Sequence, residues 1–264
     1  MNDLKGLHNC LLNLMIEIDK ICHENNIKYT LMGGSLIGAI RHNGFIPWDD
    51  DMDIGLLYDD YVKLINVLQN LNHPWITFDN AFSEDYEEQF MKIYDSRTSF
   101  KESKSNRVKG VFVDVFPIIP IGNTVFQSKL RFYYDNVLKM SRYNKTNNSK
   151  SSALKMFVYK FVGLFHSADG LTRKIQKKRA KLASKNYKFY SDPDGRVDGI
   201  VEKECFDGFI MHKFETTELM IVKNYDKYLT SIFGDYMKLP PKEKQIPGHY
   251  ELLDLNKSYL KGDE

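Results

Sequence analysis

The stretch GGSLIGAIRHNGFIPWDDDMDIG, residues 33–55, constrains this chain more than any other part of it. Two glycines and a serine open it, and four aspartates, Asp49, Asp50, Asp51 and Asp53, crowd its end. An acidic surface turn would lead into polar loop, but here the acids run into DMDIGLL, whose alternation reads as a strand. In a strand, residues i and i+2 share a face, so Asp51 and Asp53 point one way while Met52 and Ile54 enter the core. Adjacent carboxylates repel each other unless a cation lies between them. A set of hard oxygen donors suits Mg2+ or Mn2+. A third acid on a neighbouring strand would complete such a site, and Asp114, alone among apolar residues in VFVDVFP, is the candidate.

The glycines complement the acids. IKYTLM reads as a short strand, GGS as a turn and LIGAIRHN as the start of a helix. A strand–turn–helix of this kind turns free backbone N–H groups towards an anion, which makes it a phosphate site. Gly33 and Gly34 allow close approach of the backbone, and Ser35 can donate a hydrogen bond. Arg41 carries a guanidinium that matches phosphate geometry, and Lys92 in FMKIYDS is placed to neutralise a donor phosphate. Asp49 and Asp50 precede the strand and take turn or supporting roles. Metal and phosphate meeting in one cleft read as phosphoryl transfer.

Elsewhere, Leu4, Leu7, Leu11, Met15, Ile18 and Cys22 recur at helical spacing behind Asp3 as a cap. YDDYVKLINVLQNL is an amphipathic helix, and WITFDN, EQFMKIYDS and VKGVFVDVFPII are three strands. After Pro120 the chain becomes basic and helical, with linker-like KTNNSKSS at 145–152 and SDPDGR at 191–196 marking the far edge. The reading is one domain over residues 1–264 with an α+β fold. Residues 121–195 form a basic, mostly helical insertion, and residues 196–264 a helical C-terminal part that packs back on the core.

The net charge of +2 conceals a division. Residues 127–190 hold 16 Lys and Arg against two Asp, a charge of +14, which leaves −12 on the rest. Basic blocks attract anionic partners. Residues 157–181 combine an aromatic apolar run with seven Lys and Arg, the composition of a helix lying in a membrane interface, so peripheral contact with an anionic membrane is expected there. No nucleic-acid motif accompanies the charge, so no nucleic acid is expected. Cys10, Cys22 and Cys205 are too few and too scattered for a disulfide framework or a zinc site. With no basic leader and no window apolar enough to span a bilayer, the expected location is cytoplasmic, at the inner face of the membrane when engaged.

The G-[GS] turn, the acid pair on a strand and a later single acid together resemble the nucleotidyltransferase superfamily. The longer text GGSLIGAIRHNGFIPWDDDMDIGL resembles the LicD family, bacterial relatives of fukutin and fukutin-related protein, and FMKIYDSRT, GVFVDVFPI and YDKYLTSIFGDYMKLPP are similar to further blocks of that family. The resemblance covers much of residues 4–120 and 225–241, but residues 121–224 match nothing residue by residue. It implies a nucleotidyltransferase-like mixed sheet with flanking helices, elaborated here by the basic helical segment. It also implies metal-dependent transfer of a phosphorylated alcohol, phosphocholine or a phosphoalditol, from a CDP-linked donor. The acceptor would be a cell-surface glycan, such as a teichoic acid or capsule polysaccharide, or its lipid-linked precursor. By the same resemblance Asp51, Asp53 and Asp114 are the catalytic acids and the metal ligands. Two alternatives stay open. The first is a nucleotidyltransferase that moves a nucleoside monophosphate to a hydroxyl, told apart by release of pyrophosphate rather than CMP. The second is a non-catalytic glycan- or membrane-binding module, told apart by the absence of Mg2+-dependent nucleotide binding.

Overall fold

A computed structural model of the chain describes residues 4–103, 107–146, 152–246 and 250–260. Its elements run α1 (Leu4–Glu24), β1 (Thr30–Leu31), α2 (Gly33–His42), β2 (Asp53–Leu57), α3 (Tyr58–Asn70), β3 (Ile76–Asp79), β4 (Met91–Glu102) and β5 (Lys109–Gly122). Then follow α4 (Val125–Thr146), α5 (Ala153–Leu164), α6 (Ala168–Ala183), β6 (Phe189–Ser191), β7 (Val201–Glu202), β8 (Phe209–Phe214), β9 (Thr217–Val222), α7 (Tyr225–Phe233) and β10 (Tyr250–Asp254). Among the described residues these make the α+β, nucleotidyltransferase-like arrangement that the sequence predicts. The cap at Asp3 and residues 147–151 of the expected linker lie outside the described residues, while Lys145 belongs to α4.

The main sheet runs β1-β2-β5-β4-β10, with β3 added to β4 and β6 and β7 added beyond β5. β2 and β5 are parallel, and the other pairs are antiparallel. β5 is the spine. Its first half pairs with β4, its middle with β2 and its end with β6, so it is apolar on both faces through Val111, Val113, Val115 and Ile118. α1 covers the sheet with the stripe Leu7, Leu11, Leu14, Met15 and Ile18, as its 3.6-residue period requires.

Two expectations are corrected. The acid-pair strand begins at Asp53, so Asp51 lies just ahead of β2, although Asp114 N–H still donates to the Met52 carbonyl at 2.9 Å. Among the described residues of 196–264, expected to be helical, α7 of nine residues stands beside the β8–β9 hairpin and the β10 edge strand, and Phe214, Leu219 and Leu229 join the core. The hairpin escapes a sequence reading because its tight turn has no Gly or Asn. Glu215 takes the left-handed conformation instead, at φ 52°.

α2 approaches its neighbours closely. A Cβ on Gly38 would lie 2.4 Å from the Gly44 carbonyl oxygen, which is backbone and has little room to give. Gly38→Ala should therefore destabilise the protein by about 1–3 kcal/mol, despite alanine's better helix propensity. Urea denaturation checks this, and an unchanged midpoint would mean that the loop yields freely.

Candidate active site

The acids are positioned by a loop tied down from three sides. The ring of His8, on α1, stacks on Phe45 at 4.3 Å, and its Nε2 lies 2.6 Å from the Asp49 carbonyl oxygen. Glu215 Oε1 accepts the Phe45 N–H at 3.0 Å, and Asn43 reverses the chain at φ 54°. Ser35 is buried, and its Oγ accepts the Asp53 N–H at 2.9 Å. The serine expected at a phosphate thus fastens the start of the acid strand. Gly33 sits at φ 51°, and a Cβ there would stand 3.1 Å from Asp53 Oδ2. A Cβ on Gly34 would stand 2.4 Å from Asp49 Oδ2. The glycines bring the first turn of α2 against the carboxylates, where N–H groups and acid attract.

β2 and β5 place Asp53 directly beside Asp114 in parallel register. Burial drives the Asp53 carboxyl well above its ordinary pKa, and the nearby carboxylates of Asp51, Asp114 and Asp49 push it further. Burial also raises Asp114, to about 7; Lys92 opposes that rise, and Glu102 and Asp51 add to it. Asp51, Asp53 and Asp114 therefore sense one another across the strand pair. β4 contributes Lys92 opposite Asp114, with Nζ 3.1 Å from Asp114 Oδ1 and 3.1 Å from Glu102 Oε1. Burial alone would lower Lys92, but Asp114 and Glu102 hold it above its usual range. Lys92, expected at a donor phosphate, is instead a buried counter-ion of Asp114. Lys92 thus neutralises one Asp114 oxygen from the β4 side. The mutually repelling acids and the all-oxygen donor set fit a hard divalent cation. As the side chains stand, no group of three or more His, Cys, Asp or Glu among the described residues is closed into a metal cage.

Arg41 takes a different place from the one expected. Its Nη1 donates to the Tyr236 carbonyl at 2.8 Å and its Nε to His42 at 2.9 Å, so it ties α2 to the segment after α7. Trp48 is half-buried and meets His42 edge-on.

Beside Gly33 and Asp53 opens a cavity of about 230 Å³, walled by Phe116, Phe206, Tyr228 and Phe233 and by Asp192. Burial raises the Tyr228 hydroxyl, as do the nearby Asp192 and Asp53 carboxylates. Burial and Asp194 lift Asp192 to about 7. The turn that carries Asp192 is anchored by Arg179, which is fully buried. Its guanidinium reaches Asp194 at 2.7 and 2.9 Å, Asp135 at 2.9 Å and the Gln89 carbonyl at 2.9 Å. Lys139 adds a contact to Asp194 at 3.2 Å, and Lys178 one to Asp135 at 3.3 Å. Arg179 and Lys178 therefore turn inward, away from the anionic surface expected for residues 157–181. Sequence reasoning missed Asp192, Asp194 and His8. The i, i+2 acids around a proline in SDPDGR were the signal for the first two.

The family model of the LicD/FKTN/FKRP nucleotidyltransferase domain matches residues 26–160, just over half of the chain. The chain belongs to the LicD family. Lipopolysaccharide cholinephosphotransferase LicD of Haemophilus influenzae is 30% identical over 253 residues, which cover 91% of this chain and 93% of that protein. Ribitol 5-phosphate transferase FKRP of human and mouse is 53% identical over 34 residues, 13% of this chain and 7% of that protein. An uncharacterised protein of Rickettsia prowazekii is 29% identical over 133 residues, half of this chain and 40% of that protein. The LicD model ends inside α5, so α6 and the turn with Asp192 and Asp194 lie beyond the matched residues.

Proposed function

We propose that this LicD-family phosphotransferase moves phosphocholine from a CDP-linked donor to a hydroxyl of a cell-surface glycan or its lipid-linked precursor, with Mg2+ or Mn2+ held by Asp51, Asp53 and Asp114. The observation that carries the choice of head group is the cavity next to Asp53, whose lining includes four aromatic rings and the Asp192 carboxylate, while Arg196 on the same wall is paired with Asp198. A quaternary ammonium cannot donate hydrogen bonds. It is held by aromatic faces and by negative charge, which Phe116, Phe206, Tyr228, Phe233 and Asp192 supply. An alditol would need a hydrogen-bond partner for each hydroxyl, and the Phe116, Phe206 and Phe233 rings offer none. The named activity of the Haemophilus relative supports the same choice.

In this reading the chain acts by positioning and charge. The parallel β2–β5 register sets Asp53 and Asp114 side by side, Ser35 fixes the start of β2, and Lys92 keeps Asp114 in place. Gly33 and Gly34 let the first turn of α2 come against the Asp53 and Asp49 carboxylates, so donor phosphates held by the cation would lie near its N–H groups. Bound there, the cation would supply positive charge to those phosphates. The acceptor hydroxyl attacks the phosphate that carries choline, and CMP leaves.

Thermal denaturation with Mg2+ and a panel of CDP-choline, CDP-ribitol and CDP-glycerol tests the reading, because a ligand present at 100 times its Kd stabilises by about 2.7 kcal/mol. CDP-choline should give the largest shift, and an equal or larger shift with CDP-ribitol would overturn the head-group assignment. Asp192→Asn should weaken CDP-choline binding about 10-fold, a change of ~1.4 kcal/mol. Its effect on CMP binding should be small, and isothermal titration separates the two.

A further inference from the structure

α5 presents an outer face that nothing in the described protein covers. Leu154, Phe157, Val158, Phe161 and Leu164 recur at i, i+3, i+4, i+7 and i+10 and so form one stripe. All are exposed, Phe157 at 67%, Phe161 at 53% and Leu164 at 78%. Phe165, just past the helix, continues the row, and the rings follow one another at 6.2 and 5.3 Å. Only Tyr159 and Gly163 of this helix are buried. Monomeric proteins rarely leave a contiguous apolar face of this kind in water.

The charge around the stripe identifies what covers it. Lys155 and Lys160 on α5, and Arg173, Lys174 and Lys177 on α6, are exposed, and α5 has no acidic residue. Protein–protein interfaces are rich in aromatic residues, phenylalanine included, but depleted in lysine. Phenylalanine and leucine on one face with lysine alongside is instead the chemistry of a helix lying at a bilayer surface. At 12 residues α5 is about 18 Å long, and among the described residues no helix is long and apolar enough to cross a membrane, so it lies on the surface.

We infer that the exposed face of α5 inserts into an anionic bilayer leaflet, its phenylalanines among the outer acyl segments and the neighbouring lysines at the head groups. The benefit to the enzyme rests on the proposed transfer reaction, since a lipid-carried acceptor would be held at that leaflet. The binding itself does not depend on that reading. The surface differs from the one expected from sequence: the apolar ladder of α5 carries the contact, while Lys178 and Arg179 support the interior.

Co-sedimentation with vesicles of phosphatidylcholine alone, or mixed with phosphatidylglycerol, tests the inference on the whole chain. Binding should require phosphatidylglycerol, decline as salt is added, and fall at least about 10-fold in the Phe157→Ser/Phe161→Ser variant. The helical circular dichroism of that variant should be unchanged. Donor-induced thermal stabilisation, read on the same samples, reports separately on the transfer reaction. No binding to anionic vesicles at low salt would overturn the inference, as would equal binding by the variant. A solution dimer that the same two substitutions dissociate, with no vesicle binding, would show that a second copy covers the face and would also overturn it.

Discussion

Asp53→Asn should lower turnover at least about 10²-fold, the scale on which loss of one electrostatic group in a preorganised site is felt. Asp53 lies between Asp51, Asp114 and the first turn of α2. The fold should survive and become more stable at neutral pH. The sign follows from the raised pKa. A carboxyl harder to ionise in the folded protein than in the unfolded chain contributes a penalty, which appears as pH rises above the unfolded value and is complete above the folded one. Asparagine has the same shape and no charge, so it removes the penalty. Addition of Mg2+ should stabilise the wild type and leave the variant unmoved. Retained turnover, or a variant that still responds to Mg2+, would remove Asp53 from the metal assignment.

Arg179→Met should destabilise the protein by about 3–5 kcal/mol, because it leaves Asp135 and Asp194 buried without their main counter-charge. Although burial works to raise Asp194, Arg179 and Lys139 hold it below its ordinary range. A depressed carboxyl contributes stability that is full above its unfolded pKa and is lost as pH falls through the folded value. The wild type should therefore lose this contribution in acid. The variant, which lacks it at neutral pH, should show a shallower acid limb. Since Asp194 belongs to the turn that walls the cavity, KM for the donor should also rise. Denaturant titrations at several pH values check the first two effects. A variant as stable as wild type at pH 7 would mean that the buried network is replaceable there.

Much of the N-terminal half was legible because its signals are local. The periodicity of α1 and α3, the glycine turn before α2 and the lone acid in an apolar β5 each follow from neighbouring residues. That Asp114 would stand beside Asp53 could be anticipated, because a charge inside a buried strand needs a reason. The hidden features depend on distant partners. Lys and Arg are rarely buried, so Arg179 in RKIQKKRAK read as solvated, and its acids, Asp135 and Asp194, are 44 and 15 residues away. Lys92 looked free for a phosphate because nothing in FMKIYDS reveals Asp114 and Glu102 on either side of it. Arg41 is committed by carbonyls almost 200 residues later. The aromatic cavity draws its walls from β5, the 191–199 turn and α7, and no local pattern joins these.

Identifying the group that leaves during turnover tests the central claim most directly. Purified protein would be incubated with Mg2+, a glycan acceptor and either CDP-choline or CTP, and the products followed by phosphorus NMR. The account predicts CMP from CDP-choline, in step with a new phosphodiester carrying choline on the acceptor, and no such product with Asp53→Asn. Pyrophosphate from CTP, with cytidine monophosphate joined to the acceptor and CDP-choline left intact, would contradict it.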